Sequence, residues 1–182
     1  MHACIYIGKW LVWGEVIDVL RLQKELYESA ESLFSRAWES QKYAVLLLYC
    51  TIPPARGREY RELKICVTDG DLQLWEPLVR DSNWLLIASD HSRGLLYVGS
   101  HKTSKFTGVQ RIELSRDGST HLLLEHLVAF ICRERPVLLQ GNAHDWVFVV
   151  SLLFFIATHI CKPRAHCSCS ITHRTTQVSH SN

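Results

Sequence analysis

The stretches ELKICVTDGDLQLWE (62–76), WLLIASDHSRGLLYVGSH (84–101) and VQRIELSRDGSTHLLLEHLVAFI (109–131) decide how this chain folds. Each sets two short runs of branched, aromatic or leucine residues around a polar break, and two of the breaks carry Asp-Gly, at Asp69-Gly70 and Asp117-Gly118. Asp-Gly suits the backbone angles of a tight hairpin turn. The expectation is an antiparallel β-meander of about six short strands across residues 62–131.

Upstream the period changes. Val16, Val19, Leu20, Leu26, Tyr27, Ala30, Leu33, Phe34, Ala37 and Trp38 recur at three- and four-residue steps, and no Gly or Pro interrupts them. That spacing predicts one long amphipathic helix over 14–43 with Leu33 and Phe34 on its internal face. The apolar run Ala44 to Cys50 is closed by Pro53 and Pro54, and ARGREYRE (55–62) reads as a solvated charged loop. A helix followed by hairpins, without strand–helix alternation, places residues 1–141 in a single α+β domain.

Composition narrows the function classes. Of 182 residues, 47% are hydrophobic and 21% charged, enough apolar material for a core and too little charge for wholesale disorder. The net charge of +2 supplies no field that would select nucleic acid as a partner. All acidic residues lie at or before Asp145, whereas Lys162, Arg164 and Arg174 follow it, so 146–182 is a basic segment of different character. Lys9 and Glu15 break the apolar residues near the N-terminus, which argues against a secretory signal. Seven Cys spread from Cys4 to Cys169 do not form the dense, even framework of a disulfide-stapled domain, so reduced thiols are expected.

Residues 93–128 resemble one repeat of the YWTD β-propellers of the low-density lipoprotein receptor class, through the Leu-Tyr strand, the Arg-Ile strand and the Asp-Gly turn before a leucine run. The Trp-Thr-Asp that follows Tyr in that family is Val98-Gly99-Ser100 here, and the repeat occurs once, whereas a propeller needs several blades. The likeness is therefore one of hairpins.

WVFVVSLLFFIATHIC (146–161) carries no Asp, Glu, Lys or Arg, and Trp146, Lys162 and Arg164 flank it as interfacial anchors would. As a helix it would reach ~24 Å against a hydrocarbon core of ~30 Å, so it is a candidate transmembrane or buried helix. The simplest membrane arrangement is a single pass near the C-terminus with the bulk cytosolic; the alternative is a soluble cytoplasmic protein. Beyond it, 162–182 reads as a disordered basic tail rich in Ser, Thr, Cys and His. Cys161, His166, Cys167 and Cys169 supply four zinc-type ligands, but Cys-Ser-Cys is tighter than a zinc knuckle and no second knuckle follows. With a cytosolic tail, Cys161, Cys167 and Cys169 would instead be juxtamembrane acylation sites.

No phosphate-binding loop, dinucleotide fingerprint or H-E-x-x-H motif occurs. His121, Glu125 and His126 are one residue too widely spaced for the H-x-x-E-H pattern. Asp90-His91-Ser92 contains the residue types of a hydrolase triad, but sequence neighbours point apart, and a turn before Gly94 explains them.

The reading that results is a non-enzymatic protein-interaction protein with an unknown protein partner, and with the lipid bilayer as a second partner through 146–161. The alternatives are a Cys/His metal-binding protein holding zinc, and a truncated or young open reading frame product with no selected biochemical activity. Protein purified in reducing buffer should carry substoichiometric zinc by elemental analysis; a full equivalent that disappears on Cys167→Ser and Cys169→Ser would instead establish the metal site.

Overall fold

The computed structural model describes residues 12–52, 57–77, 81–101, 104–142 and 144–149. Helix formation begins at Trp13, and the expected helix over 14–43 is two helices: α1 (Trp13–Glu28) and α2 (Leu33–Thr51). Two serines make the break. Ser29 turns its hydroxyl back onto the carbonyl of Glu25 at 2.7 Å, while Ser32 accepts the amide of Ser35 at 3.0 Å and so caps α2. The apolar run 44–50 belongs to α2, which stops at Ile52 in extended conformation because the residue before a proline disfavours helical angles.

The α+β class holds, and the sheet corrects the expected meander. Four strands, β1 (Leu63–Thr68), β2 (Asn83–Ala88), β3 (Arg93–Val98) and β4 (Gln110–Ser115), lie in the order 1-2-3-4. β2, β3 and β4 pair antiparallel, but β1 runs parallel to β2. Asp69-Gly70 therefore does not close a hairpin. Thr68 Oγ1 accepts the Gly70 amide at 3.0 Å and Asp71 accepts the Gln73 amide at 2.9 Å, starting the long crossover that a parallel pair requires. LQLWE lies in that crossover and is not a strand.

THLLLEHLVAFI also departs from expectation. It is helix α5 (His121–Ala129), continued by a π-turn (Phe130–Glu134) into α6 (Arg135–Leu139). Leu123, Leu124, Leu127 and Phe130 recur at helical spacing and are all buried, a period that the β-branched and leucine content of the stretch obscured. Pro136 has no amide to donate and crowds the preceding turn, and the wider π-turn just before it absorbs this defect. The likeness to a propeller repeat ends with β4, since its leucine run is helical. A short α3 (Gly57–Arg61) precedes β1, and α4 (Ser104–Thr107) joins β3 to β4.

α2, α5 and the π-turn cover one face of the sheet, burying Leu48, Leu63, Leu85, Leu96, Leu114, Leu124 and Phe130 together. The approach is close at Gly94, where a Cβ would lie 3.1 Å from the Leu86 carbonyl and 3.2 Å from Leu124, so glycine lets α5 sit on β3. The opposite face carries a smaller cluster of Leu72, Leu86 and Leu95 with Trp75 and Trp84 packed on it.

The expected apolar helix over 146–161 does not begin at Trp146. Trp146 forms an antiparallel bridge with Lys64, flanked by Ile65 donating to the Asp145 carbonyl and Val147 donating to the Leu63 carbonyl, both at 2.8 Å. Val147 is fully buried, and the buried amide of Gln41 clamps Val149, accepting its N–H at 2.7 Å and donating to its carbonyl at 3.3 Å. Open hydrogen-bonding groups on the edge of β1 hold these residues extended. The rest of the run, 150–161, and the tail 162–182 lie outside the described residues; no described helix is long and apolar enough to cross a membrane.

Leu33 and Phe34 also sit differently from expectation. They lie at the tip of the α1–α2 hairpin, 75% and 52% exposed, because the break at Ser29–Ser32 turns the helix before it reaches the core. Leu33→Asp should therefore shift stability by no more than about 0.5 kcal/mol, whereas Phe130→Ala should cost about 3–5 kcal/mol. Urea unfolding of the two variants checks both; a Leu33→Asp loss as large as that of Phe130→Ala would mean that the tip is packed.

Candidate functional site

Alternation along the strands places Lys64, Trp84, Tyr97 and Arg111 on the face away from the core helices, and the sheet registers set them side by side. Lys64 pairs with Trp84, Trp84 with Tyr97, and Tyr97 with Arg111, while the bridge adds Trp146 on the far side of Lys64. One row thus crosses the sheet, reading Trp146, Lys64, Trp84, Tyr97, Arg111. Its members interact through cation–π contacts: the Lys64 ammonium stands 5.3 Å from the Trp84 ring centre and 5.5 Å from that of Trp146, and the Arg111 guanidinium 5.4 Å from that of Tyr97.

The crossover loop is held over the same row. Arg111 donates to the carbonyls of Gln73 at 2.7 Å and Trp75 at 3.1 Å, and the Gln73 amide donates to Glu113. Trp75 then packs edge-on against Trp84 and Tyr97 at 5.4 and 5.9 Å. Trp84 spends its indole N–H on Ser82 at 2.8 Å, and Asn83 bonds the Glu59 and Ser100 backbones, which fixes the end of β2.

Between this loop and Trp146 the sheet face opens into a cleft of about 620 Å³. Trp75, Trp84 and Trp146 wall it, Lys64 and Cys66 line its floor, and Glu62, Glu76 and Asp81 contribute carboxylates. Arg58 meets Glu62 at 2.7 Å and Arg111 meets Glu76 at 3.7 Å. Burial pushes the Cys66 thiol up from its ordinary range, so the nucleophile in this lining stays protonated near neutral pH. An apolar cleft with a few convergent polar groups is the usual form of a ligand site.

A second constellation lies under α1. His126 is buried between Tyr27 and Tyr43, edge-on to both at 5.2 and 4.7 Å, and its Nε2 lies 3.3 Å from the Ser40 hydroxyl and 3.0 Å from the Ser40 carbonyl. A carbonyl can only accept, so Nε2 must carry a proton to use the shorter contact and cannot then take one from the hydroxyl. Ser40 is also fully buried, beyond reach of a substrate. The pair is structural. Glu134, only 6% exposed, receives the Tyr27 hydroxyl at 3.3 Å on one oxygen, and its other oxygen has no hydrogen-bond partner among the described residues.

Of the residues singled out in the sequence, Cys161, His166, Cys167 and Cys169 lie outside the described residues. Among the described residues no cluster of three His, Cys, Asp or Glu side chains could hold a metal. His121 and Glu125 meet at 3.5 Å on the exposed side of α5 while His126 turns into the core, so the three share no site. Asp90 accepts the Ser92 amide and hydroxyl at 2.9 and 2.8 Å in the expected turn; His91, at a φ of 58°, faces Cys132 at 3.9 Å instead. Of the three cleft tryptophans the sequence singles out only Trp146, as an interfacial anchor, because nothing local joins it to Trp75 and Trp84. Comparison with family models, curated proteins and solved structures finds no match to this chain.

Desolvation between two tyrosines lowers the His126 pKa, against raising contributions from the Ser40 carbonyl, Glu134 and Glu125. The unfolded chain then binds a proton that the folded one refuses. Stability from His126 is complete above the unfolded pKa of roughly 6.5 and falls as pH drops below it toward the folded pKa. Thermal melts between pH 7.5 and 5.5 should show this decline, and His126→Gln should flatten it; an unchanged slope would mean that the imidazole protonates in place.

Proposed function

We propose that the protein is a non-enzymatic interaction module and that the tryptophan-walled cleft is where it takes hold of a partner polypeptide. The observation that carries this reading is the row Trp146, Lys64, Trp84, which sets aromatic walls on either side of a charged group in the cleft and leaves Trp146 38% exposed. Partly exposed aromatic side chains beside fixed charges are the residue types that dominate binding energy at protein surfaces.

The chemistry of the lining supports binding over catalysis. Two of its carboxylates are engaged by arginines, its thiol is held protonated by burial, and the Trp84 N–H is spent on Ser82. The buried Ser40–His126 pair adds no second candidate, for the reasons of proton placement and access given above. A site that recognises without reacting needs rigid walls, and Arg111 supplies them by tying the loop to β4.

Panning a displayed peptide library against the full chain should enrich sequences that bind at one site. Trp146→Ala, a change at a partly exposed position, should weaken them at least about tenfold, or 1.4 kcal/mol, by fluorescence anisotropy. Enriched peptides that bind the Trp146→Ala protein as tightly as the wild type would place the interface elsewhere, and a library that yields no binder would remove the reading.

A further inference from the structure

We infer that the cleft is a seat for an alkylammonium group, specifically the N-methylated lysine side chain of a partner polypeptide, and that Lys64 occupies that seat in the free protein. This rests on the reading of the cleft as a binding site and names what it recognises. The geometry already holds one example of the ligand chemistry. The Lys64 ammonium lies 5.3 and 5.5 Å from two indole ring centres, within the range where a cation is drawn to the face of an aromatic ring. The seat is built by backbone pairing, because Lys64 faces Trp84 across β1–β2 and Trp146 across the bridge.

Charge points the same way. The lining sets three carboxylates, Glu62, Glu76 and Asp81, against the one ammonium of Lys64. Arg58 and Arg111 meet Glu62 and Glu76, and Asp81 adds a further negative charge to the lining. With Glu62 and Glu76 met by arginines, the Lys64 ammonium and the Asp81 carboxylate are the remaining formal charges of the lining. A cation that takes the place of the Lys64 ammonium gains the two indole faces and shares the lining with Asp81.

Methylation follows from the presence of Lys64. An unmodified lysine that displaced it would exchange one hydrated ammonium for another, with the same contacts and the same cost of dehydration. A trimethylammonium holds its water more weakly and adds methyl groups against the indole faces, so the exchange becomes favourable. The cleft, at about 620 Å³, has room for that head group and its alkyl stem.

The test uses the full chain and four probes: doubly capped lysine, doubly capped trimethyllysine, its neutral analogue with carbon in place of the charged nitrogen, and phosphatidylcholine vesicles. Binding is read from tryptophan fluorescence and from indole N–H signals in NMR spectra. Trimethyllysine should bind at least about tenfold more tightly than lysine, shifting the Trp84 and Trp146 signals, and the neutral analogue should lose that gain. Lys64→Gln should tighten trimethyllysine binding several-fold by removing the resident cation, a gain that damaged folding cannot mimic. Equal binding of the charged and neutral probes overturns the inference, as does tighter binding to the vesicles than to trimethyllysine. Library peptides that bind through Trp146 but are indifferent to lysine methylation would overturn this inference while leaving the proposed function intact.

Discussion

β1 is hydrogen-bonded on both sides, to β2 along its whole length and to residues 145–147 around Lys64, and most of what is particular to this structure depends on that double pairing. Without the outer bridge, β1 would be an open edge presenting unpaired amides and carbonyls to solvent. With it, Val147 and Val149 enter the main core. Arg135 completes the arrangement by donating to the carbonyls of His144 and Trp146, at 2.5 and 2.7 Å, from the first residue of α6. The segment is thus held at once by the sheet, by Gln41 of α2 and by α6. A side chain replacing Gln41 without its amide would leave the Val149 N–H and carbonyl buried and unmet, a cost of about 1–3 kcal/mol for each group.

The π-turn connects this edge to the helical layer. It sits where Pro136 interrupts regular helix, and it brings Glu134 inward under α1 to receive the Tyr27 hydroxyl. α1 itself has no buried residue, so polar anchors matter unusually much to its position. Gln23 reaches Glu39 at 2.7 Å, and Arg36 lies 5.3 Å over the Tyr27 ring whose hydroxyl meets Glu134. The core proper lies beneath α2 and α5, where leucines from both helices meet the inner face of the sheet.

The class of the fold and the β2–β3 hairpin were legible because WLLIAS and LLYVGS are short apolar runs, too brief for a helix of their own, on either side of the polar break DHSRG. Two local signals misled. Asp69-Gly70 suits a hairpin, yet the crossover wins because Leu72 and Trp75 bury apolar surface over Leu86 and Leu95, which a tight turn would have denied them. In HLLLEHLVAFI, leucine content masked the spacing of Leu123, Leu124, Leu127 and Phe130, and Arg-Pro at 135–136 concealed that the helix continues. The helix break at Ser29–Ser32 had only two serines for a signal, and the continuous apolar period over 16–38 outweighed them, so one helix over 14–43 was read where there are two. The run from Trp146 to Cys161 read as a candidate transmembrane or buried helix, and a window of apolar residues does not disclose that its first members complete a sheet; 150–161 lie outside the described residues. For the cleft, residue types were visible and adjacency was not: Lys64, Trp84, Tyr97, Arg111 and Trp146 become neighbours only through register, and register depends on the parallel crossover.

The cleft exists because the crossover does not cover its face evenly. To return from Thr68 to Asn83 the chain must retrace about 20 Å, the length of one strand at ~3.3 Å per residue, while residues 69–82 could reach more than twice as far. Arg111 and Glu113 take up that slack by drawing Gln73 and Trp75 toward β4. Leu72 and Trp75 are thereby spent over β2 and β3, and the Lys64 end of β1 stays open beside Trp146. A helical crossover would have laid a second layer over the sheet. A loop tethered at β4 instead leaves one aromatic row covered at its Tyr97 end and accessible at its Trp146 end, which is the asymmetry that a floor for a ligand requires.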